Sequence, residues 1–309
     1  MPYRSFPVPE GLVGLRTDAA ISKILGLSRA TVATLADEGQ IKMNGNVVDK
    51  ATKLIADGWL EVEVPEPRFF SEVDLESEPR VELPVVFEDE DLILIDKPAG
   101  VAAHPSVGWT GPTVLGALHT AGYRISTSGV PERRGIVHRL DVGTSGLMMV
   151  AKTEVAYSAL KRAFKQRQVE KIYHSLVQGH PDPIRGTIDA PIGRHPGAEY
   201  KFAVLSSGKA SITHYEVLEM HSSASLVEVH LETGRTHQIR VHFSALKHPC
   251  VGDLTYGADP VLAARVNLER QWLHAVRLAF QHPVSGKQME FESNYPAELE
   301  SALNKIRFA

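Results

Sequence analysis

Apolar positions follow two different spacings along this chain. Between Asp18 and Leu27 they fall at Ile21, Ile24 and Leu25, one face of a short helix, and a second helical stretch runs from Ser28, a suitable N-cap, to Glu38. Gly39 stops that helix, and in IKMNGNVV the Asn44-Gly45 pair predicts a tight turn between two short strands. In WLEVEV, Leu60, Val62 and Val64 alternate with Glu61 and Glu63, as a strand buried on one side requires. Farther along, LILID at 92–96 and LMMVA at 147–151 are unbroken apolar runs of buried-strand length. SLVEVHLE again alternates, with Val227, Val229 and Leu231 against Glu228, His230 and Glu232. Helical stretches are expected around 153–167 and 236–247. Strands and helices do not alternate regularly, so the pattern predicts a mixed α+β class rather than a doubly wound sheet.

Between these regions EPRFFSEVDLESEPRVELP carries three prolines and many carboxylates without periodicity, which reads as a linker over residues 66–80. The expected parse is a small domain at 1–65, that linker, a large domain at 81–300 and a C-terminal tail at 301–309. At 309 residues the chain has room for both domains. A hydrophobic content of 43% excludes a disordered chain, and the single cysteine, Cys250, cannot form an internal disulfide. Prolines near the start interrupt what a signal peptide would need, and no apolar run reaches membrane-spanning length, so a cytoplasmic location is expected.

The net charge of −4 argues mildly against a nucleic-acid partner until it is resolved by segment. Residues 1–65 hold 7 basic and 8 acidic groups, residues 66–91 hold 2 and 10, and residues 92–309 hold 24 and 19. The acidic segment supplies the sign, while the large domain is mildly basic and holds all 14 histidines.

Three clusters can carry chemistry. In GIVHRLDVGTSGLMMVAK at 135–152 a strand start leads into His138-Arg139-Leu140-Asp141 and then a glycine-rich turn. Asp141 is either a reactive carboxylate on a rigid base or a turn cap paired with Arg139. A protein-kinase loop is excluded, because Leu140 separates Arg139 from Asp141 and Gly146 stands where an Asn is needed. In LETGRTHQIRVHFSALKHP at 231–249 a helix is expected to carry Arg235, His237, Arg240 and His242. The two histidines, five apart, are poorly spaced for a metal, so no metal site is expected. In the third cluster Lys161, Arg162, Lys165, Arg167 and Lys171 crowd within eleven residues, followed by Tyr173. The run is either a solvated helix face or a stripe that tracks phosphates, and Tyr173 is either core or a stacking platform.

Together these stretches resemble the RluA/RluD-type pseudouridine synthases. The resemblance rests on VFEDEDLILIDKPAGVAAHP, GIVHRLDVGTSGLMMVAK, EKIYHSLVQG, GKASITHYEVLE, TGRTHQIRVHFSALKHPCVGDLTYG and LHAVRLAFQHPVSG, in the family's order from about residue 81 to 298. Separately, residues 14–64 resemble the RNA-binding domain of a small-subunit ribosomal protein of the S-four type. The resemblance implies an α+β catalytic domain built on a largely antiparallel sheet with a central cleft. It implies isomerisation of a flipped-out uridine to pseudouridine in RNA, with no cofactor or metal, by a protein expected to be a monomer. Asp141 is the implied nucleophile or glycal-forming group, and Arg240 its ion-pair partner. Tyr173 is implied to stack on the uracil and is a candidate for removing the ring proton. Leu273 is implied as an apolar pocket wall and Arg139 as a contact to the flipped nucleotide. Arg235, His237, Lys161, Arg162 and Lys165 are candidate RNA contacts in the large domain, as are Arg16, Lys23 and Arg29 in the small one. The accessory domain points to large-subunit (23S) ribosomal RNA or an assembly intermediate. A tRNA target within the same family, a non-catalytic RNA-binding module and a glycosidic hydrolase are the alternatives. The hydrolase lacks a second carboxyl beside Asp141.

Overall fold

Contacts divide the computed structural model into two units, Met1–Phe69 and Phe70–Ala309. The structure describes residues 3–8, 12–25, 29–63, 79–105, 109, 111–130, 133–196 and 201–308. The expected linker at 66–80 therefore lies almost wholly outside the described residues, as does Ser28.

In the first unit the elements are β1 (Tyr3–Pro7), α1 (Thr17–Leu25), α2 (Arg29–Asp37), β2 (Ile41–Met43), β3 (Asn46–Val47) and β4 (Trp59–Glu63), with the sheet in the order β1-β4-β2-β3. Asn44 and Gly45 both take positive φ, 52° and 78°, as the hairpin turn demands. The helices close over Ile41, Leu60 and Val62 through Ala20, Ile21, Val32 and Leu35. Strand β1 is not evident from the apolar pattern. It forms because Phe6 pairs opposite Leu60 on a sheet edge, where Pro7 costs no ladder bond on the solvent side.

The second unit runs β5 (Val85–Glu88), β6 (Leu92–Lys97), α3 (Val114–Thr120), β7 (Ser145–Ala151), α4 (Glu154–Lys165), β8 (Glu170–Gln178), β9 (Arg185–Asp189), β10 (Ile192–Arg194), β11 (Phe202–Val204), β12 (Ile212–Met220), β13 (Ala224–Leu231), α5 (Gln238–Ala245), α6 (Pro260–Arg265), β14 (Leu273–Gln281), β15 (Gln288–Glu292) and α7 (Ala297–Arg307). Nine strands form one sheet in the order β5-β6-β7-β14-β8-β13-β12-β9, with β15 added to the far half of β14. Every pairing is antiparallel except β7 with β14, which meet in parallel at His274↔Ser145 and Ala275↔Gly146. The fold is thus α+β with a mixed, largely antiparallel sheet.

Alternation along the strands decides what each face carries. Met148 and Val150 of β7 and Tyr173 of β8 point to the face covered by α3 and α5. Leu147 and Met149 point to the opposite face, where Ala156 and Leu160 of α4 pack. The apolar runs in β6 and β7 follow from this, since both strands are buried from two sides. The expected tail at 301–309 is instead the last part of α7. Leu299, Ala302, Leu303 and Ile306, spaced as one helical face, bury themselves against Leu176, Leu226 and Trp272.

Candidate active site

The segment 138–146 is held from several directions at once. The His138 ring stacks on Phe164 at 4.7 Å and its Nε2 accepts the Met149 N–H at 3.0 Å. Loss of solvent around that ring, with Lys171 nearby, pushes its pKa down to about 3. The neutral ring therefore serves as a fixed acceptor. The Asp141 carbonyl accepts the Thr144 N–H at 3.0 Å, closing the turn. The Val142 carbonyl accepts the Gly100 N–H at 2.8 Å. Beneath it the buried Lys97 ammonium donates to the carbonyls of Pro98 and Val101, both at 2.8 Å. Burial pushes that lysine down to about 7, against the opposing pull of Asp141. Gly146 has φ 113°, and a Cβ there would lie 2.3 Å from the Ala275 carbonyl oxygen, so the chain can leave the turn into β7 only through glycine.

Asp141 projects from this turn, half-buried, toward the start of α5. Its Oδ2 lies 3.4 Å from Nη1 of Arg240 and 3.9 Å from Nε2 of His237. Arg240 is committed more firmly elsewhere. Its Nε and Nη2 donate to the two oxygens of Asp253 at 2.6 and 2.9 Å, and its guanidinium lies 4.8 Å from the Tyr256 ring centroid. Burial opposes the charge on Arg240, but the Asp253 bonds and then the charges of Asp253 and Asp141 outweigh it, raising its pKa. The result is a permanent cation held within reach of Asp141 by a second, almost fully buried carboxylate.

Helix α5 begins later than the spacing suggests. Arg235 and His237 stand in the turn before it, and His237 has φ 57°. The cause is Gln238, whose Oε1 accepts from the Thr233 hydroxyl and the Arg235 N–H, and whose Nε2 donates to the Ile212 carbonyl. His237 shares a hydrogen bond with the Tyr256 hydroxyl through Nδ1 at 2.7 Å, and burial lowers its pKa. His242 is occupied separately, by Thr213 and the Ala190 carbonyl.

Arg139, Asp141, Tyr173, Arg235, His237, Arg240 and Leu273 line one cleft on the α3/α5 face. Arg139 and Arg235 are exposed there, Leu273 is buried, and the Tyr173 ring is buried beside Leu273. Burial, and after it the charge of Asp141, raises the pKa of the Tyr173 hydroxyl well above the ordinary tyrosine range.

Other expected residues lie elsewhere. Lys161, Arg162 and Lys165 are exposed on α4, which packs on the face opposite Tyr173, so the run cannot line this cleft. Arg16 forks onto Asp18 at 3.1 and 3.2 Å, and the side chains of Lys23 and Arg29 lie outside the described residues. Asp253, Tyr256 and Gln238 were not singled out by spacing, although CVGDLTYG and GRTHQIR lie within the stretches that carry the resemblance. Asp89, Asp91 and His282 have metal-like proximity, but the His282 Nδ1 accepts two backbone N–H groups, so its Nε2 carries the proton given to Asp89 at 2.7 Å.

Comparison with known proteins identifies the family. Residues 91–245 match the family model for RNA pseudouridylate synthases. A Mycobacterium bovis chain named an uncharacterized RNA pseudouridine synthase is 58% identical, covering 99% of both chains. The ribosomal large subunit pseudouridine synthase D of Nitrosomonas europaea is 41% identical over 97% of this chain and 87% of its own length. That of Zymomonas mobilis is 38% identical over 97% and 96%. Among solved structures, human RNA pseudouridylate synthase domain containing 1 superposes with a TM-score of 0.56 at 32% identity, covering 70% of this chain and 84% of that one. With the Asp141 turn, the buried arginine beside it and these relatives, the chain belongs to the RNA pseudouridylate synthase family, RluA/RluD type, and is an isomerase that converts uridine in RNA to pseudouridine.

Proposed function

We propose that the substrate is large-subunit ribosomal RNA and that Asp141 is the catalytic nucleophile. The observation that carries the catalytic part is the Asp141 carboxylate facing an arginine locked by Asp253. A uridine flipped into the cleft presents its glycosidic bond to Asp141. The Asp141 carboxylate bonds to the sugar's anomeric carbon as the bond from that carbon to the ring nitrogen breaks, the freed uracil turns, and a ring carbon then displaces the carboxylate. That carbon loses its proton and the freed ring nitrogen takes one up, so the product is an isomer of the uridine. Asp141 is regenerated at the end, so no cofactor is consumed. Arg240 stabilises the carboxylate each time it is released.

Tyr173 and Leu273 form the two apolar walls between which the base stacks, offsetting part of the few kcal/mol that flipping costs. Because burial keeps the Tyr173 hydroxyl protonated, it can accept the ring proton only by giving up its own in the same step. Arg139 and Arg235 contact the flanking phosphates at the rim of the cleft. Lys161, Arg162 and Lys165, on the other face, bind more distant parts of a large RNA, and the first unit adds a further RNA contact.

Support for the ribosomal substrate comes from the relatives named for the large subunit, matched across nearly the whole chain. The test is to incubate the protein with unmodified large-subunit ribosomal RNA and, in parallel, with tRNA transcripts, then map pseudouridine. Product in the ribosomal transcript alone, abolished by Asp141→Asn with RNA affinity kept within a few fold, is expected. Product only in tRNA would overturn the substrate assignment, and turnover by the Asn variant would overturn the nucleophile.

A further inference from the structure

Arg270 sits where three parts of the large unit meet. It precedes β14, and its guanidinium is largely buried. Nη1 donates to the Gly143 carbonyl at 2.9 Å, in the turn that carries Asp141, and to the Gln271 carbonyl at 3.2 Å. Nη2 donates to the Ser145 hydroxyl at 3.1 Å and to Glu298 Oε1, on α7, at 2.7 Å. The neighbouring Gln271 adds a bond from its Nε2 to the Thr144 hydroxyl at 3.2 Å. One planar fork thus joins the catalytic turn, the approach to the Leu273 wall and the terminal helix. That helix packs beside Trp272, whose indole N–H donates to the Leu299 carbonyl at 2.7 Å.

We infer that Arg270 is a positioning residue for the isomerisation: it sets the Asp141 turn against the Leu273 wall, and Glu298 holds it in the orientation that does so. The inference rests on the reading of Asp141 as the nucleophile. A displacement of about 1 Å at a reacting group can lower a rate by two orders of magnitude. A residue bonded both to the Asp141 turn and to the backbone leading into the Leu273 wall is well placed to prevent one. Lysine cannot substitute, since a single ammonium lacks the fork that serves Gly143 and Glu298 together. Glu298 is half-exposed, so its removal leaves the core intact and changes mainly the fork's orientation.

The experiment measures single-turnover pseudouridine formation on unmodified large-subunit ribosomal RNA transcript, together with RNA affinity and thermal midpoint. The parent, Arg270→Lys, Glu298→Gln and Asp141→Asn are compared. For Arg270→Lys the rate at saturating RNA should fall at least tenfold, with affinity within threefold and the protein folded at the assay temperature. Glu298→Gln should slow the same step at least threefold at nearly unchanged midpoint. A merely structural role would lower the midpoints and leave the saturated rate of the folded protein alone. Folded variants with rates within twofold of the parent overturn the inference. If Arg270→Lys does not fold, an unaltered rate in Glu298→Gln is sufficient to overturn it. Turnover by Asp141→Asn marks the separate failure of the nucleophile reading, whereas a dead Asn variant beside an unimpaired Arg270→Lys rejects the positioning role alone.

Discussion

Replacing Asp253 by Asn tests whether the arginine facing Asp141 is held from behind. The substitution keeps the volume but removes the charge and turns one of two acceptors into a donor facing the guanidinium. Arg240 then stays buried with its two shortest bonds, 2.6 and 2.9 Å, disrupted, while Asp141 at 3.4 Å is its remaining carboxylate neighbour. Charge-assisted bonds contribute about 1.5–3 kcal/mol each, and opening a buried pair costs about 3–5 kcal/mol, so the two routes agree on a loss near 4 kcal/mol. For the 240 residues of the second unit that corresponds to a fall in melting temperature of roughly 8–16 °C. Misplacing the Arg240 charge should also lower the single-turnover rate at least a hundredfold, about 2.7 kcal/mol in the barrier, with RNA affinity little changed. Calorimetry and a quenched single-turnover assay below the new midpoint measure the two effects. A variant that melts within 2 °C of the parent, or retains its rate within twofold, refutes the argument.

Gly143 and Gly146, in the turn that carries Asp141, should separate stability from activity. A Cβ at Gly146 meets Ala275 backbone, so Gly146→Ala should lose several kcal/mol or fail to fold, whereas at Gly143 its nearest neighbour is the amide end of the Gln271 side chain, whose bond to Thr144 it displaces, and Gly143→Ala should cost rate more than stability in urea titrations with turnover assays. His274 is buried, and burial, then Arg270, pushes its pKa down to about 4. The unfolded chain therefore binds the extra proton between about pH 6.5 and 4. Stability contributed by the neutral ring is complete above 6.5, falls with pH through that window and is lost by about 3 kcal/mol below it. Urea midpoints across pH should show this slope in the parent and lose much of it in His274→Asn. Tyr173 should stay protonated past the pH at which exposed tyrosines ionise. The absorbance difference between the parent and Tyr173→Phe should show no phenolate near pH 10, and a transition there would restore the resting phenolate as a base.

What could be read from the chain followed the range of the interactions. Runs such as LILID and the Asn44-Gly45 turn report local rules, and both elements formed as expected. Asp141 and Arg240 stand out in the sequence because each sits in a dense, distinctive string of residues, and the structure brings the two side chains together. Asp253 does not stand out, because its role comes from a loop folding back on α5, and the same side chain one turn away would look identical in sequence. The start of α5 was misplaced for a similar reason, since Gln238 bonds back to Thr233 and across to Ile212. The last helix is a different case: Leu299, Leu303 and Ile306 carried a readable period, hidden beside Glu298, Glu300 and Lys305. The basic residues at 161–165 kept their charge pattern but faced away from the cleft, because Ala156 and Leu160 choose which side of α4 is buried.

The parallel pairing of β7 against β14 within the large sheet has a consequence for the order in which the protein can mature during synthesis. Asp141 and Ser145 leave the ribosome roughly a hundred residues or more ahead of Arg240, Asp253 and His274, and antiparallel β6 can receive β7 long before β14 exists. Closing so long a loop delays the pairing, because its entropy is lost before the contacts form. The nascent chain therefore carries an incomplete cleft until α5 and the start of β14 have emerged and paired.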